Sequence, residues 1–494
     1  MINWFRLNNV RGKLLSVSKV LLSITLAYVF FVFIYAYQCF SLYQEGKSVL
    51  DELTSRGLSS QSQSSYNALL PELESIVKVA ESKALMPVLW AAGVQSEVLE
   101  ATRLYRNVKE SMPILPSFLG FETSRRYFVA FQNPAEARGT GGLLGAFSVI
   151  KVDKGSIRFE QIGSNSLLAN GNELPISLPD EYLSLYNDDP ALWVNSNNSP
   201  HFPYAAQIWL ALWEQQFGEK LDGVIALDPF VLKRMLERIG TVQVGDRVIS
   251  EQNVVEETLF NFYLDFQDDN LARKNTVVDI IASVAEKSFS SSTSPIDMAI
   301  ALANSIRDER VLVYSTNSDE QSSFRRSTLS GSLDRPGAND FRLVLVNTAG
   351  NKMDYFINRS LKLETLNCGA KQSVRATIKI TNDVKAELDL PDGYYGRLDL
   401  DTPENPDNST ALAVLLFGPP DAKFFSTKSS ETDSVEIELA QELGREVLLL
   451  NLDLAAGESR TVTVDFKGVR NGFTVSEQRL VRNQKTKVFD GCNP

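Results

Sequence analysis

The 494-residue sequence predicts an N-terminal transmembrane helix with a helical segment, a central α/β domain whose mixed sheet is covered by helices, and a C-terminal β-sandwich-like domain. Three observations predict this fold class. A long uncharged apolar stretch lies near the N-terminus, and strand-length apolar runs alternate with helical patterns over residues 122–360. From residue 361 onward, short alternating runs lie between turn signals.

Residues 20–44 contain no charged side chain and are long enough to cross a hydrocarbon core as a helix. The leader, residues 1–19, carries arginine and lysine but no acid, which places the N-terminus in the cytoplasm. A cleaved signal peptide is the alternative, but it would have a shorter apolar core and a small-residue cleavage site. We therefore predict an uncleaved signal-anchor in the cell membrane, single-pass, with an extracytoplasmic bulk.

Residues 45–116 show apolar side chains at three- and four-residue spacing, which indicates helices. They are interpreted either as a stalk or as an antiparallel hairpin. The hairpin is favoured because the polar break at residues 59–65 and Pro87 interrupt any sustained heptad.

The central domain, residues 122–360, opens with two predicted strands around a polar loop. Strand then alternates with helix, which is typical of βαβ units. An irregular stretch, residues 163–203, is predicted to be a binding loop because long unstructured loops are uncommon inside compact domains. The predicted elements are the strand 127–131, the loop 132–142, the strand 143–150, the strand 156–162, the helix 204–217, the strand 221–229, the helix 230–239 and the strand 241–244.

Residues 361–468 form the predicted β-sandwich-like domain, with alternating runs such as 373–380 and 461–466, and residues 469–494 are a tail. Cys368 lies near the start of this domain and Cys492 near the chain end. In an oxidising compartment the two cysteines are candidates for a disulfide.

The composition of the chain argues against some classes of function. The net charge of −12 argues against nucleic-acid binding, which needs a basic surface. A single histidine, His201, and three cysteines exclude His-rich or Cys-rich metal sites, so no metal site is predicted. His201 is either a general base or, because it lies between Pro200 and Phe202, a packed loop residue.

Polar and glycine residues concentrate in the first hairpin. Arg138 with Glu136 is a candidate for binding a phosphate or sugar acid, and the alternative is an internal salt bridge that holds the loop. The glycines let backbone N–H groups face an anion or simply form a tight turn. Outside the hairpin, Asp228 is interpreted as a helix N-cap. The ligand-binding candidates are Asn133, Glu136, Arg138, Thr140, Gly141, Gly142, Asp222 and Arg273; no residue is assigned a catalytic role.

The stretch Phe-Gln-Asn-Pro-Ala-Glu-Ala-Arg-Gly-Thr-Gly-Gly at residues 131–142 resembles the domain-of-unknown-function family DUF4012. The resemblance continues at residues 199–203, 222–229 and 347–355. It implies a membrane-anchored protein of the bacterial cell envelope. Pro134 and His201 depart from the family pattern, where an asparagine and an acid are expected.

A weaker likeness reaches the LytR-CpsA-Psr family, whose members move lipid-linked glycopolymers onto the cell wall. Arg138 and Arg273 match the arginines of its loop and of its charged stretch. That family has an acid, which helps hold a divalent metal, just after the loop arginine; Gly139 stands there in this chain. The resemblance therefore implies a Mg²⁺ cofactor only if the chain is a transferase.

Two functions follow from these resemblances. One is binding or scaffolding in surface polysaccharide or cell-wall assembly, with a glycan or an envelope protein as partner. The alternative is a phosphotransferase acting on a polyprenyl-phosphate-linked glycopolymer. A deep apolar groove beside Arg138 and Arg273 would indicate a lipid ligand, whereas a shallow polar surface would indicate a glycan or a protein.

Overall fold

The computed structural model describes residues 114–492 except 172, 187–188, 268, 291–292, 294, 401–407 and 430–436. The predicted leader, the transmembrane helix and residues 45–113 of the helical segment lie outside the described residues and stay predictions. Within the described residues, no helix is both long and apolar enough to cross a membrane. Residues Glu110–Pro494 group into one compact unit.

The central region is built on a five-stranded mixed sheet. The first seven strands are β1 (Arg125–Arg138), β2 (Gly141–Asp153), β3 (Ser156–Ser164), β4 (Gly223–Leu227), β5 (Val242–Val244), β6 (Arg247–Ile249) and β7 (Leu312–Ser315). The sheet order is β3-β2-β1-β4-β7. β1 runs parallel to β4, and the other neighbours are antiparallel. The predicted mixed sheet is confirmed.

Ten α-helices are described, and most of them cover or flank this sheet. They are α1 (Leu115–Phe118), α2 (Asp180–Leu185), α3 (Phe202–Phe217), α4 (Pro229–Ile239), α5 (Val254–Glu256), α6 (Phe262–Asp265), α7 (Asn270–Ser288), α8 (Pro295–Arg307), α9 (Ser318–Phe324) and α10 (Asp392–Tyr395). A π-helical turn, Glu257–Asn261, joins α5 to α6. Asp228 caps α4 as predicted, since its Oδ1 accepts the backbone N–H of Phe230 at 2.9 Å.

The C-terminal region is β-rich and contains two further five-stranded sheets. Its strands are β8 (Asp340–Asn347), β9 (Ile357–Asn367), β10 (Lys371–Asn382), β11 (Thr410–Phe417), β12 (Lys423–Ser429), β13 (Ile437–Glu442), β14 (Arg445–Leu454), β15 (Ser459–Arg470), β16 (Thr474–Glu477) and β17 (Lys485–Phe489). The orders are β13-β14-β11-β8-β16 and β12-β15-β10-β9-β17. A shared apolar core joins these two sheets.

Strand β8 is apolar along nearly its whole length because both of its faces are covered. Leu343 and Leu345 belong to the core between the two C-terminal sheets. The alternate residues Val344 and Val346 belong to the core that contains α3 and the central sheet. Successive strand residues point to opposite faces, so one strand serves two cores. This explains why its sequence does not alternate.

The predicted boundary between residues 360 and 361 falls inside β9. The predicted tail, residues 469–494, contains β16 and β17, which pair in parallel with β8 and β9. Cys368 and Cys492, the candidate pair, form a disulfide with their Cα atoms 5.5 Å apart. The chain end is therefore part of the C-terminal sheets.

The prediction that residues 132–142 form a loop is wrong. β1 continues to Arg138 and β2 begins at Gly141, so the turn itself is short. Asn133 pairs with Leu143 and Ala137 with Gly142, so residues 134–136 bulge out of β1. A bulge is one of the few places in a strand that accepts proline, because proline donates no ladder hydrogen bond. Pro134 and the glycines are therefore typical of a loop in the sequence, although they lie in a bulged hairpin.

The stretch predicted as a binding loop is largely internal where it approaches the hairpin. Ser196, Asn197, Asn198 and Ser199 are all buried. Asn197 Nδ2 donates to the carbonyl oxygen of Gly142 at 2.9 Å and to Thr140 Oγ1 at 2.8 Å. These side chains hold the hairpin in place instead of facing solvent.

The buried carboxyl of Glu442 links this stretch to β13. Ser199 Oγ donates a hydrogen bond to the Glu442 carboxyl at 2.5 Å, and the Tyr186 hydroxyl donates a second one at 2.8 Å. Burial raises the pKa of Glu442 to about 7, although both hydrogen bonds and the charge of Arg445 oppose the rise. The folded protein therefore holds a proton on Glu442 that an exposed glutamate would release.

We expect the protein to lose stability as pH rises from 4.5, the ordinary glutamate value, to about 7. In this window the folded state binds a proton on Glu442 that the unfolded chain has released, so raising the pH favours unfolding. The loss attributable to this group is on the order of 2 kcal/mol. Thermal melts followed by circular dichroism should show a flatter pH profile for Glu442→Gln. Glu438→Gln, an exposed change on the same strand, should keep the wild-type slope, and an unchanged slope in Glu442→Gln would contradict the assignment.

Candidate functional site

A cleft of about 230 Å³ opens beside the first hairpin, between β1, β2, α4, α7 and the helical segment that ends in α6. We call it the amphipathic cleft. Its apolar lining is Phe131, Leu143, Ala146, Pro229, Leu232, Leu259, Val277 and Ile281. Its cationic lining is Arg273, Lys274 and Lys352, joined by amides such as Asn133 and Asn270. Cations and apolar side chains thus share one space.

The lining of this cleft changes from cationic to apolar along helix α7. Arg273, Val277 and Ile281 are spaced by four residues and all line the cleft, so they lie on one face of the helix. Eight residues of helix span about 12 Å. The cation therefore lies in the first turn, and the lining becomes apolar toward the C-terminus. Asp269 starts the helix by accepting the backbone N–H of Ala272 at 2.8 Å.

Arg273 is held by aromatic rings and an amide. Its guanidinium carbon lies 4.4 Å from the ring centre of Tyr263 and 5.3 Å from that of Tyr394. One Nη donates to Asn270 Oδ1 at 2.8 Å, and the Nε is buried without a hydrogen-bond partner. Among the described residues Arg273 makes no ion pair with a carboxylate, so its charge is available to an anion in the cleft.

Lys274 adds a second cation with no carboxylate partner among the described residues. Its Nζ donates to Ser166 Oγ at 2.7 Å. Burial lowers the pKa of Lys274, and the neighbouring charge of Arg273 lowers it further. The positive charges of Arg273 and Lys274 repel each other, so an anion that binds to both stabilises them.

The predicted pair of Glu136 and Arg138 forms a buried salt bridge behind the cleft. Arg138 Nη2 lies 2.8 Å from one Glu136 oxygen, and Lys352 Nζ pairs with the other. The remaining Arg138 nitrogens donate to backbone carbonyl oxygens, including that of Val194 at 2.9 Å. Arg138 reaches a ligand only if this network opens.

Asp354 completes the network. Its Oδ2 accepts the backbone N–H of Ala137 at 2.6 Å. Burial raises the pKa of Asp354 to about 6, and burial lowers the pKa of Lys352 to about 8. Both pKa shifts show that burial disfavours the charged forms of Asp354 and Lys352. Each charge is therefore stabilised mainly by the opposite charges of the network.

Besides Glu136 and Arg138 in this buried network, the sequence-predicted candidates lie in three places. Asn133 and Arg273 meet at the amphipathic cleft, where Asn133 Nδ2 donates to the Tyr263 hydroxyl at 2.6 Å. Thr140, Gly141 and Gly142 line a different cleft. Asp222 accepts from the backbone N–H of Arg126 at 2.7 Å, at the opposite end of β1 from Arg138, and lines neither cleft.

His201 is packed. It is buried, its Nδ1 accepts the backbone N–H of Leu333 at 3.1 Å, and its ring lies 4.5 Å from that of Tyr204. Burial lowers the pKa of His201 to about 4, so the ring is neutral at neutral pH. The described residues contain no group of three or more His, Cys, Asp or Glu side chains that could hold a metal ion.

Sequence reasoning missed Lys274, Lys352 and Tyr263 as parts of the cleft. Lys274 directly follows the candidate Arg273, and Lys352 lies in the block 347–355 that carries the family resemblance. No spacing rule connects Lys352 to Arg273, because the fold alone brings β8 and its following turn to α7. Tyr263 has an ordinary helical environment in the sequence.

Residues 122–263 match the family described as protein of unknown function (DUF4012). The match confirms the DUF4012 resemblance drawn from residues 131–142 and covers the central sheet from β1 to β4, together with α3, α4 and the helical segment up to Tyr263. No curated protein matches the chain.

Several solved structures are similar to this chain. Protein gbs0355 from Streptococcus agalactiae is 11% identical, with a TM-score of 0.26, over 44% of this chain and 76% of its own. The Lin1025 protein from Listeria innocua is 11% identical, with a TM-score of 0.22, over 42% and 80%. The transcriptional regulator yvhJ from Bacillus subtilis is 11% identical, with a TM-score of 0.22, over 43% and 79%. These values are too low for the functions of those proteins to bear on this chain.

Proposed function

We propose that the chain is a membrane-anchored extracytoplasmic protein of the bacterial cell envelope that binds a polyprenyl-phosphate-linked glycan during surface polysaccharide or cell-wall assembly. The amphipathic cleft takes the phosphate and the first part of the lipid chain. Arg273 and Lys274 face the phosphate, and the apolar side chains along α7 contact the lipid.

One observation carries this proposal: cations and apolar side chains line the same cleft in a fixed order along α7. A purely polar glycan would leave Leu232, Val277 and Ile281 without an apolar partner. An uncharged lipid would leave Arg273 and Lys274 unpaired in a half-buried site, which is costly. An amphipathic anion satisfies both groups. The predicted transmembrane helix would tether the chain to the membrane that contains such lipids.

Transfer of the lipid-linked chain to an acceptor is the alternative function. Phosphoryl transfer uses cations to stabilise the phosphate and oxygen ligands to hold a divalent metal. The cations are present, but the carboxylate next to the cleft, Glu136, is already bound to Arg138 and Lys352. Binding is therefore the function that the geometry supports best, and Mg²⁺ dependence distinguishes the two.

The proposal predicts that polyprenyl phosphate stabilises the full-length chain. Thermal unfolding should shift to higher temperature with polyprenyl phosphate, but less with the neutral polyprenol of equal length, because a ligand stabilises the state that it binds. The double variant Arg273→Gln/Lys274→Gln should bind the lipid phosphate at least tenfold more weakly, since each hydrogen bond to a charged group contributes about 1.5–3 kcal/mol.

Lys287→Gln is the matched control. Lys287 is an exposed cation in the last turn of α7, and it does not line the cleft. It should bind like the wild type. Equal binding of polyprenol and polyprenyl phosphate, or unchanged binding by the double variant, would overturn the proposal. A stabilisation that requires Mg²⁺ would favour the transferase instead.

A further inference from the structure

A second cleft, of about 90 Å³, lies between the β1–β2 turn, β8, β16 and the segment around residues 327–335. We call it the polar cleft. Four arginines line it: Arg310, Arg335, Arg342 and Arg479. Three carboxylates also line it: Asp228, Glu309 and Glu477. Seven hydroxyl and amide side chains contribute further polar groups: Gln132, Thr140, Ser327, Thr328, Ser332, Ser476 and Gln478.

Two of these arginines have their charge satisfied within the fold. Arg310 Nη1 lies 2.7 Å from Asp228 Oδ2, and its Nη2 donates to the carbonyl oxygen of Leu480 at 3.0 Å. Arg479 pairs with Glu477 at 2.9 Å and with Glu309 at 3.2 Å. Their charges are balanced by carboxylates, which also line the cleft or lie at its edge.

The other two arginines are not satisfied. Among the described residues, the guanidinium of Arg335 makes no hydrogen bond or ion pair. The guanidinium of Arg342 makes no hydrogen bond, its nearest carboxylate oxygen, on Asp340, is 3.8 Å away, and its Nε is buried without a partner. Burial lowers the pKa of Arg342, the carboxylates of Asp340 and Glu309 oppose this shift, and the charge of Arg335 adds to it. Both arginines line the same cleft.

Two guanidinium groups that line one cleft and lack a close carboxylate partner can both contact an anion that binds there. Arginine presents a fork of N–H donors that matches phosphate and carboxylate oxygens. The Ser332 hydroxyl, buried beside them without a hydrogen-bond partner, provides a further polar contact. The apolar side chains of the lining are Leu312, Pro134 and Pro200. The hydroxyl and amide side chains beside them suit a ligand that carries hydroxyl groups.

We propose that the polar cleft binds a sugar phosphate, with its phosphate between Arg335 and Arg342. This site is separate from the amphipathic cleft. Gln132 lines both clefts, but none of the cations is shared. Binding here therefore does not depend on the lipid site.

Isothermal titration of the full-length chain with glucose 1-phosphate tests the proposal, with inorganic phosphate and glucose as the other titrants. Glucose 1-phosphate should bind more tightly than inorganic phosphate, and glucose should bind at least tenfold more weakly than its phosphate. Arg335→Gln and Arg342→Gln should each weaken glucose 1-phosphate binding at least tenfold. Both variants should fold, because neither guanidinium is hydrogen-bonded within the described fold, and unchanged thermal unfolding would show this.

Arg238→Gln, which removes an exposed cation outside both clefts, should bind glucose 1-phosphate like the wild type. Arg273→Gln/Lys274→Gln should also bind it normally, even though it loses the lipid phosphate. The inference is overturned if Arg335→Gln and Arg342→Gln keep wild-type affinity. It is equally overturned if Arg273→Gln/Lys274→Gln abolishes the binding, which would place the sugar phosphate in the amphipathic cleft.

Discussion

Replacing Glu136 by alanine is expected to lower the free energy of unfolding by about 3–5 kcal/mol. Glu136 lies between Arg138 and Lys352, and all three side chains are nearly inaccessible to solvent. Removing the carboxylate leaves two buried cations next to each other with only Asp354 nearby. An unpaired buried charge costs far more than the pair contributes, so the loss exceeds that of an ordinary salt bridge. Chemical denaturation of the full-length chain, followed by circular dichroism, measures the difference.

Glu160→Ala is the matched control. Glu160 also pairs with an arginine at 2.7 Å, but both side chains are about one-third exposed. Exposed ion pairs contribute about 0–1 kcal/mol, so the variant should unfold nearly like the wild type. If Glu136→Ala were no less stable than Glu160→Ala, the network would not be structural. Arg138 would then be available for a ligand, as the sequence also allowed.

Much of the fold was predictable because its signals are local. The cap at Asp228 and the strand–helix alternation around residues 221–244 depend on neighbours in the sequence, and the structure contains them. The place of β8 was not predictable in this way. Its apolar run is consistent with any buried strand, and only the tertiary structure shows that its two faces serve different cores.

Several individual residues of the candidate site could be predicted from the sequence, but their positions relative to one another could not. Asn133 was a candidate as a polar residue of the hairpin and Arg273 through the likeness to the LytR-CpsA-Psr family, and the two residues meet in one cleft. Asp222 was also a candidate, yet it lies at the far end of β1. Lys352, Arg335 and Arg342 have no local pattern that distinguishes them from solvated cations. Their environment comes from β-strand pairing over long sequence separations, which a single sequence does not show.

The hairpin glycines illustrate the same difference. Gly142 was a candidate for presenting backbone N–H groups to an anion. In the structure a Cβ at this position would lie 2.3 Å from the carbonyl carbon and oxygen of Asn133 and 2.4 Å from the nitrogen of Pro134. These are backbone atoms of the bulge, which cannot rotate away as a side chain would. The absence of a Cβ at residue 142 is therefore a condition for the bulge to form.

Gly142→Ala is accordingly expected to destabilise the protein by about 3 kcal/mol, the upper end for an overpacked interior. Gly145→Ala, three residues further along β2, is the control. Its Cβ would meet no atom closer than 3.7 Å, and its backbone is in an ordinary conformation. The smaller entropy of the unfolded alanine chain should make that variant neutral or slightly more stable, by up to about 1 kcal/mol.

The bulge also connects this prediction to binding. It carries Glu136, which holds Lys352, and it begins at Asn133, which contacts Tyr263 under the guanidinium of Arg273. A shifted bulge displaces these cleft residues together, so Gly142→Ala should weaken polyprenyl phosphate binding at temperatures where the variant is still folded. Gly145→Ala should bind normally. Equal stability and equal binding of the two variants would mean that the bulge tolerates a side chain, and the hairpin would not be what positions the cleft.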